Sequence, residues 1–110
     1  MNTTEIEQEL INAKAIDPVI IDVRHLTTIT DNIIVCSASS TRHAQTLSDK
    51  ITRTGKKNGL KEIHVEGQEQ GDWILVEIGD CIVHIFTEEK REYYDIEKLW
   101  NIRPNDQKEI

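Results

Sequence analysis

Five carboxylates in this 110-residue chain, Asp22, Asp31, Asp72, Glu77 and Asp80, are of the type that holds hard cations. Two or three of them converging on one point would make a two-metal phosphoryl-transfer site. Ser39 and Ser40, in "SASSTRH", stand where a helix is expected to begin, and free backbone N–H groups there can receive an anion. His84 follows closely on Asp72, Glu77 and Asp80 and invites a general-base reading.

The spacing works against each of these chemistries. No Asp-x-Asp follows the serine loop, and the chain contains no GxxxxGK[ST], GxGxxG or GxSxG. Four residues of extended strand put His84 more than ~12 Å from Asp80, so a histidine satisfied inside a sheet is the simpler reading. No second ligand sits at metal spacing from His25, His43, His64 or His84. Cys36 and Cys81 each lie within an apolar run, without CxxC, and are expected to be buried thiols of a reducing compartment. The residues therefore predict no catalysis, no cofactor and no metal; a metal-dependent nucleotidyltransferase or phosphohydrolase is the enzymatic alternative, and a generic dimeric adaptor a third.

The elements that would position these side chains follow from periodicity. "TTEIEQELINAKAID" reads as a helix with a Thr4–Glu7 capping box, an apolar stripe of Ile6, Leu10 and Ala13, and a stop at Asp17-Pro18. "VIIDVRHL" and "NIIVCSA" read as strands with the continuous apolar character of chains covered on two faces. Ser39 and Ser40 are cap candidates for a helix with Ala44, Leu47 and Ile51 on its inner face, stopped by Asn58-Gly59. Its other positions carry Arg42, Lys50, Arg53, Lys56 and Lys57, a solvated basic face. "EIHVEG" is a brief strand. Thr87 and Asp95 are expected to cap two short terminal helices, the second carrying Ile96, Leu99 and Trp100. Together these predict an α/β fold: one domain over residues 1–102, with a mixed sheet of about five strands flanked by helices, and a flexible polar tail over 103–110. The helix between Ala38 and Glu62 is long enough to be a crossover between parallel strands.

"GDWILVEIGDCIVHIF" is a hairpin whose turn is Gly79-Asp80. Opposed residues then share a face. One face, Ile74, Val76, Ile78, Cys81, Val83 and Ile85, is wholly apolar and belongs to the core. The other, Trp73, Leu75, Glu77, Ile82, His84 and Phe86, is too apolar for idle solvent exposure. Either the last helix folds over it, or part of it, led by Trp73, stays open as a binding patch.

Charge and composition bound the partners. Twenty acidic against thirteen basic residues give a net charge of −7, which disfavours direct contact with nucleic acid or anionic membrane. No apolar run approaches a membrane span and no secretory leader is visible, so a cytoplasmic location is expected.

From about Ile21 to Trp100 the chain resembles the ribosomal silencing factor, or Iojap-related, family. The resemblance rests on Asp22-Val23, Thr30-Asp31, Ser40-Thr41-Arg42-His43, Val65-Glu66-Gly67, Asp72-Trp73, Gly79-Asp80, Val83-His84-Ile85-Phe86, Tyr93 and Leu99-Trp100. Asn32, Ala38 and Glu77 depart from the usual pattern. The resemblance implies a nucleotidyltransferase-like fold without established transferase activity. It further implies binding to the universal L-fourteen protein of the large ribosomal subunit, a block on joining of the small subunit, and repression of translation. No cofactor is implied, and a homodimer of the free chain is plausible on the same ground. Trp73 is the expected anchor of partner binding, with Leu75, Asp80, His84 and Tyr93 beside it.

Overall fold

The computed structural model describes residues 1–100; the tail expected over 103–110 lies outside them. Helix α1 (Thr3–Asn12) is followed by strands β1 (Ile16–Asp22) and β2 (Asn32–Ala38), helix α2 (Thr41–Lys57), strands β3 (His64–Glu66), β4 (Trp73–Ile78) and β5 (Cys81–Thr87), and helix α3 (Glu88–Tyr94). The five strands form one mixed sheet in the order β1-β2-β5-β4-β3. β2 and β5 are parallel at its centre, and every other neighbouring pair is antiparallel. The expected α/β architecture is thus present. α2 carries the chain from central β2 to edge strand β3, and the β4–β5 hairpin fills the space between them.

The hairpin has the register read from its turn, from Ile78 opposite Cys81 to Trp73 opposite Phe86. Gly79 takes φ +60°, the left-handed conformation such a turn requires. Its apolar face joins Ile34, Cys36 and Ala38 of β2 in the main core, beneath Ile6 and Leu10 of α1 and Ala44, Leu47 and Ile51 of α2. Each large aliphatic side chain buried there contributes roughly 1.5–3 kcal/mol. At Gly55 the helix comes so near the sheet that an added Cβ would stand 2.8 Å from Ile78 Cδ1 and 2.9 Å from Ile63 Cδ1. The basic side chains of α2 point outward as expected, with Arg42, Arg53, Lys56 and Lys57 exposed.

Three local expectations are corrected. The capping box of α1 is Asn2 with Glu5, not Thr4 with Glu7: Asn2 Oδ1 accepts from Glu5 N–H and Glu5 Oε1 accepts from Asn2 N–H, both at 2.9 Å. Asp17-Pro18 does not close that helix, which ends at Asn12, but lies inside β1. β1 is an edge strand, where a missing N–H is tolerated, and Asp17 at φ +49° marks an irregularity in the pairing between Ile16 and Val19. Thr87 stands at the N-cap of α3 but makes no side-chain capping bond; its N–H instead donates to Asp72 O.

The second face of the sheet has a smaller core of Ile21, Val23, Ile33, Val35 and Phe86. Trp73 of β4 packs against it, as do Ile96 and Trp100 from the end of the described chain. Asp95, left-handed at φ +47°, ends α3, and its carbonyl accepts Lys98 N–H in the next helical turn, residues 96–100.

Candidate functional site

The unequal second face of the hairpin is where the predicted residues meet. Trp73 lies at its open end, half-buried. Its indole stacks on Phe86 with centroids 5.0 Å apart and meets Tyr94 of α3 at 4.6 Å with the planes tilted by 43°. Tyr94 in turn meets Tyr93 edge-on at 5.0 Å, and Tyr93 is 76% exposed. Aromatic neighbours at these separations hold one another in place and leave rigid apolar surface on the outer side.

His84 sits diagonally behind Trp73. Trp73 Nε1–H donates to His84 Nδ1 at 3.0 Å, and Phe86 lies nearly parallel to the imidazole with centroids 6.1 Å apart. Only 9% of His84 is exposed. Removal from water disfavours the imidazolium and pulls its pKa from the usual 6.5 down to about 4, so the ring is neutral at pH 7. Leu75, half-buried, pairs directly with His84 across the hairpin.

Of the five residues expected to bind the partner, the structure gathers Trp73, Leu75 and His84 on this face, with Tyr93 joined to them through Tyr94. Asp80 is not part of the group. It lies in the hairpin turn, about 20 Å from Trp73 by strand rise. Its carbonyl accepts from Asp31 N–H, Asn32 N–H and Thr30 Oγ1, tying the 23–31 loop to the turn.

The end of the chain packs on the Phe86 end of this face and not on the whole of it. Toward the turn Ile82 and Leu75 are half-buried and Glu77 is exposed. Beyond Trp73 the exposed side chains of Tyr94 and Tyr93 continue the patch.

Arg91, which the sequence reading did not single out, fastens this corner. Its side chain is 12% exposed. Nε donates to Glu97 Oε1 at 2.7 Å and Nη2 to Glu97 Oε2 at 3.1 Å, while Nη1 donates to Ser37 Oγ and to Ile16 O. Burial works against the guanidinium, but the Glu97 hydrogen bonds and the charges of Glu97 and Asp17 outweigh it and raise its pKa further. Its partners come from β1, β2 and the turn after α3, so no local pattern announces it.

Other members of the family-like pattern act as scaffold. His43 Nδ1 accepts Ser39 N–H at 3.0 Å, and its Nε2 donates to Ala13 O at 2.9 Å, which joins the start of α2 to the end of α1. Ser40 Oγ caps α2 by accepting His43 N–H. Gly67 and Gly71 have positive φ and pass so close to Trp73 O and to Thr41, respectively, that a Cβ has no room.

Of the carboxylates weighed for metal chemistry, Asp22, Asp31 and Asp80 lie at one end of the sheet, where Asp31 N–H donates to Asp80 O. Asp22 accepts from Arg24 with both oxygens, a hydrogen-bonded pairing that holds its pKa down to about 2. Among the described residues no three His, Cys, Asp or Glu side chains are grouped to hold a metal ion. Both cysteines are buried, and desolvation pushes their thiols up to about 12. No helix among the described residues is long and apolar enough to cross a membrane.

Residues 2–110 match the family model described as ribosomal silencing factor during starvation. The ribosomal silencing factor of Haemophilus influenzae is 41% identical over 87 residues, which are 79% of this chain and 85% of that protein. A crystal structure of a protein from Chromobacterium violaceum superposes with a TM-score of 0.81 at 35% identity, covering 91% of this chain and 87% of that one. The mouse protein named mitochondrial assembly of ribosomal large subunit protein 1 is 31% identical over 80 residues, 70% of this chain but 35% of its own length. The chain belongs to the ribosomal silencing factor family.

Proposed function

We propose that this protein binds the large ribosomal subunit in the cytoplasm through the subunit's universal L-fourteen protein, blocks joining of the small subunit and so represses translation. The observation that carries the reading is the half-covered sheet face, where Trp73 is braced by Phe86, His84 and Tyr94 and rimmed by Leu75 and Tyr93. A rigid aromatic anchor with a partly desolvated polar neighbour is the usual centre of a protein interface. Family membership supports a ribosomal partner, and the name of the mouse relative supports the large subunit.

Only binding is required of such a factor, because a folded 12.7 kDa body seated on the joining surface excludes the other subunit by volume. The charge of −7 favours a basic ribosomal protein as the seat, and repels the RNA of an incoming subunit. In a free homodimer the same face would be shared between two copies, and docking would compete with that pairing.

The test is titration of purified L-fourteen protein with this chain and with Tyr93→Ala. Tyr93 is mostly exposed, so its removal should leave the melting temperature unchanged and weaken binding about ten-fold or more. Absence of binding by the wild type, or equal binding by the variant, would contradict the reading.

A further inference from the structure

The two nitrogens of His84 have different surroundings. Nδ1 accepts the indole N–H of Trp73 at 3.0 Å. An indole nitrogen can only donate, so Nδ1 must be unprotonated, and the neutral ring then carries its hydrogen on Nε2. Both rings are held by neighbours: Trp73 packs in one cluster with Phe86 and Tyr94, which also meet each other, and Phe86 faces the imidazole with only 10° between the planes. Among the described residues no side chain or carbonyl accepts from Nε2.

We infer that Trp73 is a positioning residue for His84: its indole N–H fixes the Nε2–H tautomer, so that this sheet face offers a hydrogen-bond donor and takes an acceptor oxygen from the protein docked on it. The tautomer assignment stands on the geometry alone, whereas the acceptor rests on the proposed docking. An apolar face attracts any apolar surface. A fixed donor within it discriminates, because a partner without an acceptor at that point leaves a desolvated N–H unpaired. Trp73 on this view contributes twice, as apolar anchor and as the group that decides which atom of His84 meets the partner.

Long-range 15N–1H correlation spectra of the imidazole in the intact chain at neutral pH test the first clause. A pyrrole-type Nε2 and a pyridine-type Nδ1 are expected. Trp73→Phe, which keeps a stacking ring but has no N–H, should move the tautomer ratio about five-fold toward Nδ1–H, the worth of one ordinary hydrogen bond. A wild-type ring protonated at Nδ1, or an unchanged ratio in Trp73→Phe, would overturn the assignment.

Binding to purified L-fourteen protein tests the second clause. His84→Gln, which can present an N–H donor at the Nε2 position, should bind within about three-fold of wild type, and His84→Leu should lose about ten-fold or more. Equal losses in both variants, or full binding by His84→Leu, would remove the acceptor. Failure of the wild type to bind, with the imidazole spectra as expected, would overturn the docking and leave the tautomer standing.

Discussion

Lowering the pH from 7 to 5 should destabilise the native fold by about 2 kcal/mol through His84 alone, as proton linkage requires for this shift in pKa. In the native state its imidazole resists protonation down to about 4 because it is desolvated, whereas in the unfolded chain it takes up a proton around the ordinary 6.5. Between those values the unfolded state binds more protons. Stability is therefore complete above about pH 6.5, falls as the pH drops through the window, and levels off below about 4 after a total loss of about 3 kcal/mol. The carboxylates on the same face of β3 and β4, Glu66 and Glu77, are exposed, and the groups closest to the ring, Trp73, Phe86 and Leu75, are uncharged. Urea unfolding at pH 7 and pH 5, for the wild type and for His84→Gln, isolates the effect because all other titrations are common to both proteins. The wild type should lose about 2 kcal/mol more than the variant at an unchanged m value. Parallel losses, differing by less than ~0.5 kcal/mol, would refute the argument that His84 is held neutral by burial.

Two further perturbations probe the frame around the face. Gly67→Ala forces a Cβ against Trp73 O at φ +84°, whereas Gly59→Ala at φ +85° meets only open space. Gly59→Ala should cost about 1 kcal/mol of conformational strain, and Gly67→Ala at least ~2 kcal/mol more, with displacement of Trp73 visible in its fluorescence; equal losses in urea unfolding would show that the close approach is not there. Arg91→Met should cost about 3 kcal/mol by the same measurement, because it leaves Glu97, Ser37 Oγ and Ile16 O without their shared donor. A loss below ~0.5 kcal/mol would mean that Arg91 does not fasten the terminal helices.

The parts of this fold that were legible in the sequence are those set by local periodicity. Strand β2, the inner stripe of α2 and the hairpin register follow from a continuous apolar, β-branched run, from the 3.6-residue repeat and from one Gly-Asp turn. At the start of α1 two overlapping patterns, Asn2 with Glu5 and Thr4 with Glu7, both satisfy a capping box, and spacing alone cannot choose between them. Asp17-Pro18 read as a stop because proline is a breaker in helices and central strands, yet β1 has no neighbour on its outer side. That Trp73 and His84 share a face was readable; that the indole donates to Nδ1 was not, since a diagonal contact depends on side-chain torsions. Arg91 was invisible for a stronger reason. Its acceptors Ile16 and Ser37 lie 75 and 54 residues away in the chain. Asp80 also lends its carbonyl to the 23–31 loop, a backbone role that its residue type does not advertise.

Many of the residues of the family pattern serve the frame of the fold. His43, Ser40, Gly67, Gly71 and Asp80 lend hydrogen bonds or close approach to the frame. Phe86, Tyr94 and Arg91 then fix the terminal helices so that they cover one end of the second sheet face and leave Trp73, Leu75 and Tyr93 at the margin.

Sedimentation of the purified chain with isolated large subunits, isolated small subunits and joined ribosomes tests the central claim most directly. The account predicts that the chain travels with free large subunits and not with small subunits or joined ribosomes, and that large subunits carrying it no longer join. Equal association with both subunits, or undiminished joining by large subunits saturated with the chain, would contradict it.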